Sequence, residues 1–259
     1  MAHCLTPIQT PDGANVRRWI WSQHWDDVLF LHWPVPSAVL RPQIPSSLEI
    51  DIREGFAWVS LVLFRLRVRM RWLPFLPSLS NLVEANLRTY VRHRDRPGIW
   101  FLGVHADNAW AIRLARMLTP MPYIGANMCY QRQGDHFQFK VQPRSSTFSA
   151  LSLTFHLNLI KRTATEATLD AWLLERYRLF ITDRRQQLLE ANVDHPPWVI
   201  QDADVAIAEN KIGEQFGLEL LGSPAIAHFS PGVRARFGAF RAVRSPSGKI
   251  VSAYSWIEQ

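Results

Sequence analysis

Between Leu82 and Val91 the chain alternates so that one side of an extended segment carries chemistry. Successive side chains of a strand point to opposite faces. One face therefore holds Val83, Ala85, Leu87, Thr89 and Val91, and the other Leu82, Glu84, Asn86, Arg88 and Tyr90. An acid, an amide, a guanidinium and a phenol stand in one row, about 7 Å apart per two-residue step. Glu84 can give or take a proton, Asn86 can donate and accept, and Arg88 can clamp an anion. The row has two readings. It is the wet face of a half-buried strand, or it lines a polar cavity inside a closed sheet.

The surrounding elements must hold that row in place. Gly98 to His105 follows as a second strand, and Asp107 or Asn108 caps a helix whose Trp110, Leu114, Ala115 and Leu118 fall on one side. Pro120 ends it, and a turn through Pro122 and Tyr123 leads on. Upstream, Val28 to Trp33 reads as a buried strand stopped by Pro34 and Pro36. Leu48–Ile52 and Phe56–Met70 flank Arg53-Glu54-Gly55 as a hairpin, and a loop covers Trp72 to Pro77. Downstream strands are expected at Met128–Arg132, Phe137–Gln142, Leu151–Lys161, Tyr177–Ile181 and Ala225–Phe229. Thr168 caps a helix running to Glu175. Gln187–Asp194 suits strand or helix, Asp204–Phe216 is weakly helical, and Ile250–Trp256 suits one more strand. Residues 1–15 form a loose lead-in and 241–259 a C-terminal extension. With no linker of domain-joining length, residues 1–259 read as one domain.

Hydrophobic residues make up 47% of the 259 positions and charged residues 20%, which supports a real core. Eleven Trp and fourteen Phe suggest a core or cavity walled by large rings. The net charge of +7 comes almost wholly from arginine, since only Lys140, Lys161, Lys211 and Lys249 are lysines. Arg65, Arg67, Arg69 and Arg71 alternate with apolar residues, as do charges on a solvated strand face or a protected edge. A second group comprises Arg88, Arg92, Arg94 and Arg96. No helix-turn-helix, zinc-finger or aromatic-basic pattern accompanies them, so nucleic-acid binding is expected to be weak and non-specific. Apolar segments fall far short of the ~20 residues that cross a bilayer, which argues against membrane insertion. No secretory leader is evident, and Cys4 and Cys129 lack metal-type spacing, which suits a cytoplasmic protein. No glycine-rich phosphate loop, nucleophile elbow, zinc helix or Cys-x-x-Cys pair occurs, so neither cofactor nor metal is expected.

Five motifs occur in order: Leu29-Phe-Leu-His-Trp-Pro34, Glu84-Ala-Asn-Leu-Arg-Thr-Tyr-Val91, Pro122-Tyr123, Glu175-Arg176-Tyr177 and His195-Pro-Pro-Trp198. Together they resemble the YqjF-like family of uncharacterised bacterial proteins, over roughly Trp19 to Phe237. That family is related to acetoacetate decarboxylase. The resemblance thus implies a mainly β fold (β-rich α+β), a closed antiparallel β-barrel or cone with a few peripheral helices and a cavity at one end. It also implies that Glu84, Asn86 and Arg88 point into that cavity. The decarboxylase forms a Schiff base through a lysine that directly follows a proline, with a second lysine next. Matching the turns places Pro122 with that proline, Arg116 with the enzyme's arginine, and Met117 with its glutamate. Tyr123 and Ile124 then fall where the lysines would be, and Glu84 matches an active-site glutamate. A tyrosine cannot form an imine, and its ordinary pKa near 10 keeps it a donor at neutral pH. Schiff-base decarboxylation is not expected.

Two functional classes remain. The first is a cavity protein for a small anionic or carbonyl-bearing molecule. Arg88 and Arg116 would be its charge partners, held against Glu84, with Asn86 completing the row. Glu84 and Tyr123 would orient the ligand or, in an enzyme, serve as acid–base group and donor. The second is a non-catalytic interaction protein with a filled interior and a basic partner-binding surface. On the first reading Glu84, Asn86, Arg88 and Tyr123 converge on one concavity, and a further element, most directly a helix, covers Val83, Ala85 and Leu87.

Overall fold

The computed structural model describes residues 19–71, 82–144, 151–158 and 160–254. The lead-in at 1–15, the loop at 72–77, the opening of the central block at 78–81 and the end of the expected last strand lie outside them. β1 (Trp21–Val35) leads through α1 (Ser37–Leu40) and a 3-10 turn to β2 (Glu49–Ile50) and β3 (Ala57–Met70). β4 (Leu82–His93), β5 (Arg96–Ala106), α2 (Ala109–Leu118), β6 (Tyr123–Gln133), β7 (His136–Pro143) and β8 (Leu151–Leu157) follow. The remainder is β9 (Arg162–Thr163), α3 (Leu169–Leu174), β10 (Arg178–Thr182), β11 (Leu188–Asp194), β12 (Val199–Asn210), β13 (Ile226–Phe237) and β14 (Arg241–Ala242). The fold is mainly β, with few helices. Asn108 caps α2 by accepting from the Ala111 N–H at 2.9 Å, and Thr168 caps α3 from Ala171 at 3.2 Å.

Strands β13, β1, β3, β4 and β5 pair side by side and form a wall. From β5 the pairing returns to β13 by two routes. One runs through β6, β7, β8 and β12; the other runs through β10 and β11. Most pairs are antiparallel, and β5–β6 and β5–β10 are parallel. The crossover through α2 carries the chain back before β6 begins, and a crossover of this kind sets strands parallel.

The wall is therefore buried on both sides. On one side Leu61, Leu63, Ala85 and Leu87 meet Phe137, Phe139 and Phe155, with Phe137 and Phe155 stacked at 4.5 Å. Val83, Ala85 and Leu87 belong to this side, in one packed cluster with residues of β7 and β8. On the other side Phe30, Val62 and Phe64 face Leu174, Leu179, Val193 and Trp198.

A bulge decides which residues of β1 meet which side. Asp26 pairs with Arg65 and Leu29 with Leu63, so Asp27 and Val28 together oppose Phe64. The extra residue switches parity: Trp21, Gln23 and Trp25 share a side with Val28 and Phe30. Asp27 adopts a left-handed φ of 52°, which a short polar side chain tolerates. Its carboxylate accepts from Arg65 Nη2 at 2.6 Å, Tyr130 Oη at 2.6 Å and Arg132 Nη1 at 2.7 Å. Gly232 on β13 opposes Asp26 with φ of 128°, and a Cβ there would lie 2.0 Å from the Trp25 carbonyl oxygen. Arg67 pairs with Asp26 at 2.8 Å, so two of the first arginine group are tied to acids rather than free for a partner.

Other expectations need correction. β12 occupies much of the stretch read as weakly helical, because Val205 and Ile207 alternate onto the packed side while pairing with β8. Gln187–Asp194 resolves as β11. Arg53–Phe56 does form a tight turn, with Glu54 and Gly55 at φ of 55° and 82°. The short β2 before it pairs with β4 rather than β3. Among the described residues, 250–254 make only isolated bridges, at Ile250 and Ser252.

Asp27→Ala is expected to destabilise the protein by about 2–4 kcal/mol, because it strips the acceptor from three donors and unpins the bulge. Urea denaturation measures this, and a loss below about 0.5 kcal/mol would show that the bulge holds itself.

Candidate functional site

The second route of pairing, with α2 and α3, surrounds a cavity of about 430 Å³. β4 supplies the polar row. Glu84, Asn86 and Arg88 all line the cavity, and each is buried. Tyr123, the first residue of β6, lines it as well. Register explains the convergence: Asn86 pairs with Val104 on β5, and Val104 pairs with Tyr123. Tyr90 continues the row but sits beyond the cavity. Its hydroxyl approaches Ser60 Oγ at 2.6 Å and donates to the Leu173 carbonyl at 2.9 Å.

Arg116 lies elsewhere. It is exposed near the end of α2 and donates to the Tyr123 carbonyl oxygen at 2.5 Å. It steadies the turn instead of entering the cavity. The apolar side expected of α2 is also rotated: Ala111 and Ile112 are buried while Trp110 is 76% exposed.

The cavity has two chemically distinct regions. Glu84 and Arg88 are four residues apart on one strand, about 13 Å along it, too far to pair. No arginine acts on Glu84: burial raises its pKa to about 8, opposed only by a hydrogen bond with Asn86. Glu84 therefore carries a proton at neutral pH. Tyr123 is pushed well above its ordinary value by burial and by the Glu84 carboxyl, so it remains a donor.

At the other end Arg88 lies over Phe30 at 5.8 Å and beside the Tyr90 hydroxyl. Among the described residues no carboxylate pairs with it, and its Nε has no hydrogen-bond partner. Burial lowers its pKa, yet an arginine stays charged. Arg176 also lines this end, but Asp51 neutralises it at 2.9 Å. His195 completes the end in its neutral form, its pKa lowered to about 4 by burial and, to a lesser degree, by Arg88.

Sequence reasoning missed Arg176, His195 and Trp198 as site residues. The signal was present in the two late motifs. Glu175 accepts from the Trp198 N–H at 2.9 Å and from the Tyr177 hydroxyl, which welds the two motifs together. Tyr177 stacks on His195 at 4.6 Å, and Trp198 stacks on Trp25 at 5.8 Å. Phe30, from the first motif, meets Trp198 edge-on at 4.9 Å. All four lysines are exposed, and none lines the cavity.

Glu84 gives a testable pH signature. Its folded pKa of about 8 exceeds the ordinary 4.5, so its contribution is complete below 4.5 and lost as pH rises through 8. Glu84→Gln is expected to match wild type near pH 4.5 and to exceed it by about 2–4 kcal/mol at pH 9. Urea denaturation across that range checks this, and a difference that stays flat with pH would mean an ionised carboxylate.

The chain is 37% identical over 224 residues to the uncharacterised protein YqjF of Bacillus subtilis (strain 168), covering 86% of this chain and 90% of that one. Among solved structures, it resembles the enduracididine biosynthesis enzyme MppR complexed with pyruvate, with a TM-score of 0.61, 14% identity, and 91% and 97% of the two chains covered. An acetoacetate decarboxylase-like enzyme from Sphingomonas wittichii RW1 gives a TM-score of 0.60 at 15% identity, covering 95% and 99%. These two likenesses concern the fold. Residues 22–234 match the DUF2071 family of uncharacterised conserved proteins, and the chain belongs to that family.

Proposed function

We propose that this protein binds a small anionic molecule in the cavity beside β4, with Arg88 as the charge anchor. One observation carries the reading. Arg88 is a buried cation that lines the cavity, and among the described residues no carboxylate pairs with it. A buried polar group left unpaired costs about 1–3 kcal/mol, more when charged. A small anion that reaches the Arg88 guanidinium removes that cost. The MppR structure with pyruvate offers a parallel on a related fold.

The chemistry open to the site follows from its protonation states. A neutral Glu84 can deliver a proton, and Tyr123 can donate to a carbonyl oxygen. Imine formation lacks a nucleophile, because the lysines stand on the surface. The interaction-protein alternative has no specific observation in its favour.

Native mass spectrometry of protein isolated without added small molecules tests the reading. A fraction of wild type is expected to carry one small adduct per chain, and Arg88→Gln to carry none. If wild type is bare, and stays bare after incubation with a small-molecule extract, the proposal fails. Separately, borohydride reduction with a β-keto acid should leave the protein mass unchanged. Stoichiometric labelling at Lys140, Lys161, Lys211 or Lys249 would restore imine chemistry.

A further inference from the structure

The cavity differs along its length. Arg88, Arg176 and His195 are each less than a tenth exposed and form its closed end. Ile20 and Leu118 are 37% and 56% exposed and mark the opposite, open end. Between them Val62, Phe64, Leu66, Val68 and Met70 follow one another along the same side of β3. From Val62 to Met70 is eight residue steps, roughly 26 Å at the strand rise. That side is apolar throughout and lies beside Trp21, Gln23 and Trp25 of the paired β1.

The charges at the closed end narrow the ligand's head group. Arg176 is neutralised by Asp51, and among the described residues no carboxylate acts on Arg88, so the pair leaves one positive charge unmatched. A monoanion balances it. A phosphate dianion would leave excess negative charge, an amine would be repelled, and a neutral molecule would leave the guanidinium unpaired. A planar carboxylate suits the planar guanidinium fork. Short keto acids satisfy the head but leave most of the roughly 430 Å³ and its apolar walls without contacts.

Building on the small-anion reading of this cavity, we infer that the ligand is a monocarboxylic acid with a long apolar body. Its carboxylate sits on Arg88 at the closed end, and its body runs along β3 towards Met70. The polar patch formed by Glu84, Asn86 and Tyr123 then lies beside the body rather than under the head.

Isothermal titration calorimetry of the full chain with butyrate, hexanoate, octanoate, 1-octanol and octylamine tests this. Affinity is expected to rise roughly tenfold for every two carbons of the acid, as each buried methylene adds its transfer free energy. Octanoate should bind at least tenfold more tightly than octanol, the margin of a charge-assisted hydrogen bond. Arg88→Met should bring octanoate down to the level of octanol. The melting midpoint of the ligand-free protein should hold or rise, because an unmatched buried charge has been removed. Arg88→Lys, which keeps the charge, should retain binding better than Arg88→Met. The inference is overturned if octanol equals octanoate, if butyrate equals octanoate, or if Arg88→Met lowers the midpoint while leaving binding intact. Absence of binding by every probe would instead remove the small-molecule reading itself.

Discussion

The structure turns on Asp27. Three donors converge on its carboxylate, and the left-handed backbone they stabilise inserts one extra residue into β1. Both faces of the wall are buried, so solvent cannot decide which side chains point where. Parity alone decides. Without the bulge, the alternation set by Trp21 and Trp25 would send Leu29 and Leu31 towards the cavity, and Phe30 and His32 into the packed side. A second register shift on β5, between the partners of Leu87 and Arg88, lets Phe101 and Ala106 share the cavity side. Two local irregularities thus separate a core filled by phenylalanine rings from a hollow one.

The hollow side concentrates groups that folding alone does not favour. Glu84 is held neutral by burial, and Arg88 is held charged without a carboxylate. Such groups are costly, and they persist because the surrounding strands are over-determined on their other face. Arg176 shows the contrasting solution. It stands in the same pocket, stacks on Trp172 at 4.3 Å, and its charge is balanced by Asp51 at 2.9 Å. Two arginines side by side therefore have different roles, one structural and one available.

The sequence was legible where the two faces of a strand differ in chemistry. On β4 the acid, amide and guanidinium alternate with Val83, Ala85 and Leu87, and that pattern places the row correctly on one face. Helix caps were legible for the same local reason, at Asn108 and Thr168. β1 was only half legible, because Val28 to Trp33 is apolar on both faces and the parity switch at Asp27 leaves no periodic trace. Arg116 was placed by aligning a turn on its proline, and three-dimensional register does not follow such an alignment. Arg176, His195 and Trp198 come from segments some ninety residues beyond β4, and only the pairing of β10 and β11 brings them under it. Long-range pairing of this kind is not encoded in local periodicity.

The unmatched guanidinium on the cavity floor has a consequence for the protein in the cell. Any anion that neutralises it binds the native chain and not the unfolded one, so it shifts the folding equilibrium by mass action. Occupied molecules then resist proteolysis and turnover better than empty ones. On the proposed small-anion reading, the steady-state amount of this protein would rise and fall through Arg88 with the supply of that anion.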